Sequence, residues 1–340
     1  MRTRISGAYA TSHYITPVLI TNGDLLVLSN IDEDQSYTFS LDFKTKTENL
    51  TNVNNNYSNN IINNNQDNYL YIQSALLYTH FDGSRRIRVH NLCLPLSNKI
   101  SIIHESIDSE AMISQYTKVF IDSLFKSKKM LNSILSVEDK LKTLIASSFS
   151  SSHSLSKEVP EQINYLLLYF LGLTKNRIAC KDEIAMKLDI DTSNYIRIKM
   201  QKMAADEIIN FVYPKFYQIH HMISNKEIGT LDENEVIILP DIINNHSNSL
   251  ESDGVYLVDN GFALFLYVKL EICSELCFSF FKVSNLNQIK EAITEEILFS
   301  NSDSDNYSKA LFSIVEYIRS IKTFCQPLLI VFESTESERL

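Results

Sequence analysis

The hydrophobic period of this chain changes twice, and those changes limit its architecture more than any other feature. Up to Pro95 apolar residues fall in short runs or alternate with polar ones, as Tyr37, Phe39 and Leu41 do, which is the period of a strand. Beyond Pro95 they recur every three or four residues. Ile113, Tyr116, Phe120 and Leu124 share one helical face, and Leu131, Ile134, Leu135, Leu141 and Ile145 continue the pattern. In the last third both periods return. Residues 255–258 and 262–270 read as strands joined at Asp259-Asn260-Gly261, residues 286–299 and 306–322 as helices. The second of these helices places Ala310, Leu311, Ile314, Ile318 and Ile321 on its buried side, and 327–332 (PLLIVF) reads as the centre of a covered sheet. Three regimes in series predict a multidomain chain. Its expected parts are an antiparallel β-sheet portion over 1–98, an all-helical domain over 99–215, a linker over 216–249 and an α/β domain over 250–340.

Turn residues punctuate the first region. The runs 14–20 and 25–28 flank Asn22-Gly23, and the strands 69–79 and 85–94 flank Phe81-Asp82-Gly83-Ser84, an Asp-Gly hairpin. In the second hairpin strand Ile87 and Val89 take one face and Arg86, Arg88 and His90 the other, so a half-buried sheet with a cationic outer face is expected. Between 51 and 68 the sequence is mostly Asn, too polar to bury and without periodicity, and reads as a disordered surface insertion. A Ser-rich link over 147–156 precedes a strongly apolar helix from Pro160-Glu161 to Leu171. Further helical pieces are expected near 182–188 and 194–206.

Charge narrows the function classes. The formal net charge is -10, and residues 218–340 alone carry 19 acidic against 8 basic side chains. An acidic domain repels phosphate instead of releasing its counterions, which argues against nucleic acid as a partner. Five scattered cysteines fit reduced cytosolic thiols better than a disulfide framework. No apolar run reaches the roughly 18–20 residues of a membrane span, and a soluble chain is expected.

Catalytic signatures are missing. No Gly-rich phosphate loop, H-E-x-x-H or G-x-S-x-G occurs, and 7 glycines are too few for a phosphate cradle, so no catalytic residue is assigned. Cys273 and Cys277 could share a helical face, but a tetrahedral zinc site needs four ligands and no second pair stands at the right spacing. Both read as buried small side chains. His220-His221 follows a strand-like segment without a nearby carboxylate pair and reads as exposed linker. No metal ligand and no cofactor is therefore expected within this chain. Arg85, Arg86 and Arg88 are the one basic cluster suited to recognition, because guanidinium planes on a rigid strand match carboxylate or phosphate; ion pairs joining the sheet to a neighbour are the competing reading.

At this hairpin the sequence resembles a known family. Tyr71-Ile72-Gln73-Ser74-Ala75-Leu76-Leu77-Tyr78-Thr79, followed by Arg85-Arg86-Ile87-Arg88-Val89-His90-Asn91-Leu92-Cys93-Leu94-Pro95, resembles the β-sandwich signature of the Sec twenty-four family, the cargo adaptors of the COPII vesicle coat. The His90–Pro95 segment differs from the Thr-rich run usual in the paralogous Sec twenty-three subunit. Tyr213-Pro214-Lys215-Phe216-Tyr217-Gln218-Ile219 is similar to that family's exit from its helical domain. Asp253-Gly254-Val255-Tyr256-Leu257-Val258-Asp259-Asn260-Gly261 is similar to the opening of its gelsolin-like domain.

The resemblance implies that residues 1–98 form an antiparallel β-sandwich portion, that the α/β domain is gelsolin-like, and that a zinc finger and a trunk domain precede residue 1 in a longer parent protein. It implies binding of cargo and SNARE sorting peptides, with Leu77 bordering a peptide groove and Arg86 and Arg88 as further cargo-binding candidates. The implied partners are the Sec twenty-three subunit, through the trunk, and indirectly a Sar-type GTPase and the outer coat. The implied location is the cytosolic face of endoplasmic-reticulum exit sites, peripheral to the membrane. Two other readings compete: a gelsolin-type actin or calcium regulator, and the paralogous coat subunit.

Overall fold

The computed structural model describes residues 1–7, 9–16, 18–21, 25–32, 35–43, 69–127, 130–151, 161–176, 190–289, 293–299, 305–322 and 325–333. The expected turn at Asn22-Gly23, the Asn-rich segment 51–68 and the expected helix at 182–188 lie outside the described residues. The chain divides into two compact units, Met1–Ala205 and Asp206–Leu340.

The first unit begins with strands β1 (Arg2–Ile5), β2 (Tyr9–Tyr14), β3 (Leu19–Thr21), β4 (Leu25–Val27), β5 (Phe39–Phe43), β6 (Tyr69–Thr79) and β7 (Arg85–Pro95). Five of them form a sheet in the order β3-β4-β1-β6-β7, and β2 pairs with β5 in a second, two-stranded sheet. The expected run 14–20 is thus split, its first residue ending β2 and its last two lying in β3. All pairings in both sheets are antiparallel, as the alternation in the sequence predicts. β6 and β7 make the hairpin expected around Asp82-Gly83. Gly83 adopts φ +82°, which an L side chain rarely tolerates, and the Asp82 carboxylate accepts from Ser84 N–H and Oγ–H at 2.8 and 2.6 Å. Those Ser84 hydrogen bonds hold the Asp82 carboxyl below its ordinary range.

The helices that follow are α1 (Ile100–Glu105), α2 (Ser109–Ser127), α3 (Met130–Ser151), α4 (Glu161–Lys175) and α5 (Ile190–Lys202). Their shared core contains Ile113, Phe120, Ile121 and Leu124 of α2, Val137 and Leu141 of α3, and Ile163, Leu166 and Leu173 of α4. The 3.6-residue period read from the sequence therefore marks the buried face of α2 directly, while Leu135 of α3 is exposed.

The second unit is an α/β layer. Its strands are β8 (Lys215–Gln218), β9 (Ile242–Ile243), β10 (Val255–Asp259), β11 (Leu264–Val268) and β12 (Leu328–Phe332), in the sheet order β12-β11-β10-β8-β9. Helices α6 (Ala205–Val212), α7 (Ser274–Phe281), α8 (Glu295–Phe299) and α9 (Asn306–Ser320) complete it. The core joins β10 and β11 to Leu276, Phe280, Leu311, Ile314, Val315 and Ile318 of α7 and α9.

Four expectations are corrected here. The segment 216–249 is not a free linker, because β8 pairs with β10 and β9 with β8, adding two strands to the sheet. Second, α6 folds with this unit instead of the helical one, since Phe211 meets Phe262 edge-on at 4.9 Å. Third, the fully apolar strand β12 is not central: among the described residues it pairs only with β11, in parallel, and Leu329 is exposed. The centre is β10, all five of whose residues are buried. Covered faces on both sides, with a strand on each flank, account for its unbroken apolar run. Ile321, expected on the buried side of its helix, lies past the end of α9 and is exposed.

Candidate functional site

The strand register decides which side chains of the five-stranded sheet share a face. Arg2 lies opposite Leu25 on one side and Ala75 on the other, and Ala75 lies opposite Val89. Counting by twos from these pairs, one face carries Leu19, Val27, Arg4, Tyr69, Tyr71, Leu77, Ile87 and Val89. The other carries Thr3, Leu26, Leu70 and Leu76 together with Arg86, Arg88 and His90. The second face buries Leu26, Leu70 and Thr3. The first is open: Leu77 is 52% exposed, Ile87 70% and Val89 48%, and Tyr69, Tyr71, Leu19 and Val27 are exposed with them.

This inverts the expected orientation of β7. Ile87 and Val89, expected on the face opposite the cationic outer one, stand on the open face with Leu77. Arg86 and Arg88 lie on the same side of the sheet as buried Leu70. The strand as a whole is exposed, not half-buried, and among the described residues β7 is the outermost strand of the sheet. The structure therefore does not bring Leu77, Arg86 and Arg88 to one site. Leu77 faces Ile87 across the hairpin on one side, and Arg88 faces Leu76 on the other.

The two arginines also differ in engagement. Arg86 donates from Nη2 to Asp82 Oδ2 at 2.6 Å and from Nε to Ser84 Oγ at 3.0 Å, so its guanidinium is held by the turn of its own hairpin. Among the described residues Arg85 and Arg88 form no ion pair. Arg4 on the open face is exposed and likewise forms none. A large apolar face edged by a cation can hold an apolar peptide segment and meet its carboxylate.

No recognition role was read from the sequence for Tyr69, Tyr71, Ile87, Val89 or Arg4. Their signal was present as same-parity apolar residues on both hairpin strands, but parity alone does not say which parity is covered. The second missed feature is Glu251. Sequence distance hid it, and the fold brings it to His220.

A sandwich-type sheet, a helical segment and an α/β layer define the class, and two family models agree with it. Residues 1–97 match the Sec23/Sec24 beta-sandwich domain and residues 236–304 match a gelsolin repeat. The chain is 30% identical over 296 residues to protein transport protein SEC24-1 of Naumovozyma castellii, covering 84% of this chain and 29% of that protein. It is 26% identical over 352 residues to SEC24 of Lachancea kluyveri, covering 99% of this chain and 36% of that protein. The crystal structure of the human COPII-coat protein Sec24c superposes with a TM-score of 0.78 at 19% identity, over 99% of this chain and 39% of that one, which shows the shared fold. The chain belongs to the Sec24 family. It spans between 29% and 36% of the length of these two curated relatives. The lone gelsolin repeat stands beside a Sec23/Sec24 sandwich, and the relatives are named as transport proteins, so the actin or calcium regulator reading is not favoured. No helix among the described residues is long and apolar enough to cross a membrane.

Proposed function

We propose that this chain is part of a cargo-recognition subunit of the COPII inner coat, which binds sorting signals for transport from the endoplasmic reticulum to the Golgi. The observation that carries the reading is the open apolar face around Leu77, Ile87 and Val89 in a sheet of the Sec23/Sec24 type. A monomeric fold gains by covering such a face, and a peptide or a neighbouring domain laid over it would do so. The partners in this reading are a Sec23 subunit, sorting peptides of cargo and SNARE proteins and, indirectly, a Sar-type GTPase and the outer coat. The location is the cytosolic face of exit sites, in peripheral contact with the membrane.

The work done is recognition without a chemical step. Each contact to a short peptide is weak, and many copies in a coat raise the avidity.

The test is a pull-down with the full-length parent protein. It is expected to co-purify with its Sec23 partner and to bind cargo-tail peptides, with Leu77→Trp weakening one peptide class. If the full-length protein retains neither partner nor any sorting peptide, the proposal fails.

A further inference from the structure

His220 and His221 lie in a single 3-10 turn, Ile219–Ile223, directly after β8, and Glu251 lies 31 residues beyond His220 in the loop before β10. We propose that these three side chains form a divalent transition-metal site of the zinc type. Their ligand atoms all lie within 4.8 Å of one another.

His220 is set as a metal ligand is set. Its side chain is 10% exposed, Nδ1 lies 3.1 Å from the Val255 carbonyl oxygen, and Nε2 lies 3.2 Å from Glu251 Oε2. A ring that donates Nδ1–H to a backbone carbonyl presents the Nε2 lone pair on its far side, the arrangement that fixes the tautomer of metal-bound histidines. That lone pair then faces a carboxylate oxygen, and two acceptors at this distance need a positive charge between them. The reverse tautomer accepts from Val255 N–H at 3.3 Å and places a proton at Nε2, in the position the metal takes. Two donors about 2.0–2.1 Å from a tetrahedral zinc ion stand roughly 3.3 Å apart, so the His220–Glu251 pair is already at ligand spacing.

His221 supplies the third donor. Its ring meets His220 edge-on at 4.7 Å, and its nitrogens make no hydrogen bond among the described residues. A rotamer adjustment in this partly exposed turn closes the remaining distance. The Glu251 backbone is anchored independently: its N–H donates to Tyr256 Oη at 2.7 Å, and the buried Tyr256 ring meets His220 edge-on at 5.2 Å. Gly254 leaves the room for that ring, since a Cβ there would collide with it. Two imidazoles and one carboxylate suit zinc, nickel or copper, whereas calcium and magnesium take oxygen donors. Three protein ligands leave a fourth position for water or for a side chain of a partner.

The experiment is a calorimetric titration of the metal-stripped 340-residue chain with zinc chloride at neutral pH. One equivalent is expected to bind and to raise Tm. His221→Gln and Glu251→Gln should each weaken binding by about 10–100-fold and abolish the Tm shift, while Cys273→Ser should leave both unchanged. Circular dichroism checks folding. His221→Gln removes no hydrogen bond of the described fold, so it stands alone if Glu251→Gln misfolds. Absence of saturable zinc binding, equal affinity in His221→Gln, or a Tm that follows pH but not zinc would each overturn the proposal; the last result would mean that a proton fills the position.

Discussion

Arg319 holds Glu295 by two parallel hydrogen bonds, Nη1 to Oε1 at 2.5 Å and Nη2 to Oε2 at 2.8 Å. The same guanidinium donates from Nε to the Gln326 carbonyl at 2.9 Å, and the Gln326 side chain donates to Asp259 of β10 at 2.9 Å. One cation on α9 therefore ties α8, the approach to β12 and, through Gln326, the central strand. Its side chain is only 12% exposed, so solvent screens this pair weakly. Arg319→Leu leaves a partly buried carboxylate without its guanidinium partner and the Gln326 carbonyl without the Nε–H donor. It is expected to destabilise the second unit by about 2 kcal/mol, read from urea unfolding, with Arg319→Lys recovering only part because it lacks the planar fork.

The same pair sets an acid limit. The hydrogen bond from Arg319 lowers the Glu295 carboxyl below its ordinary 4.5. A depressed carboxyl stabilises the fold above its unfolded value, and that contribution is lost as pH falls below 4.5 through the folded value. Stability of the wild type should drop across that window more steeply than stability of Glu295→Gln, as measured by Tm against pH.

An alkaline limit comes from Tyr217. Burial, with the Asp259 charge a smaller cause, pushes its phenol up to about 12. The neutral form favoured in the fold contributes fully below the unfolded value near 10 and is lost as pH rises through about 12. Ultraviolet titration should show one phenol ionising well above the others, and Tyr217→Phe should remove that late step.

Gly229 permits close packing against α9. It adopts φ +82°, and an added Cβ would lie 2.6 Å from the Ala310 Cβ. Gly229→Ala adds both backbone strain and a collision, so a loss of about 2–4 kcal/mol is expected, measured by chemical denaturation. Gly229→Ala combined with Ala310→Gly should recover part of it.

On the open sheet face, stability and binding should separate. Ile87→Ser removes an apolar side chain that is already 70% exposed, so its stability change is expected to stay within about 0.5 kcal/mol. In the full-length parent the same substitution should weaken peptide or partner binding measurably, comparable to Leu77→Trp. Unchanged binding in both variants would remove this face from the recognition surface.

The period of the apolar residues identified the β, helical and mixed regions, because a strand repeats every two residues and a helix every 3.6 whatever surrounds them. The Asp82-Gly83 hairpin and the Asp259-Asn260-Gly261 turn were legible for the same local reason: side-chain caps and a positive φ are properties of a few adjacent residues. Their register follows from the turn, so the pairing of Leu77 with Ile87 was implicit in the sequence.

Which parity of that hairpin faces outward was not implicit. A strand offers two faces of equal geometry, and the one that is covered depends on segments distant in the chain. Ile87 and Val89 look like core residues on hydrophobicity alone, yet among the described residues β7 is the outermost strand of the sheet and its apolar side is open. The same long-range choice placed β10 rather than β12 at the centre of the second sheet and drew β8 and β9 out of an apparent linker. It also set Glu251 beside His220, 31 residues away in the chain. Local sequence determined the elements and turns of this protein; tertiary packing decided which faces are open and which distant side chains meet, because burial and contact are properties of the assembled layers.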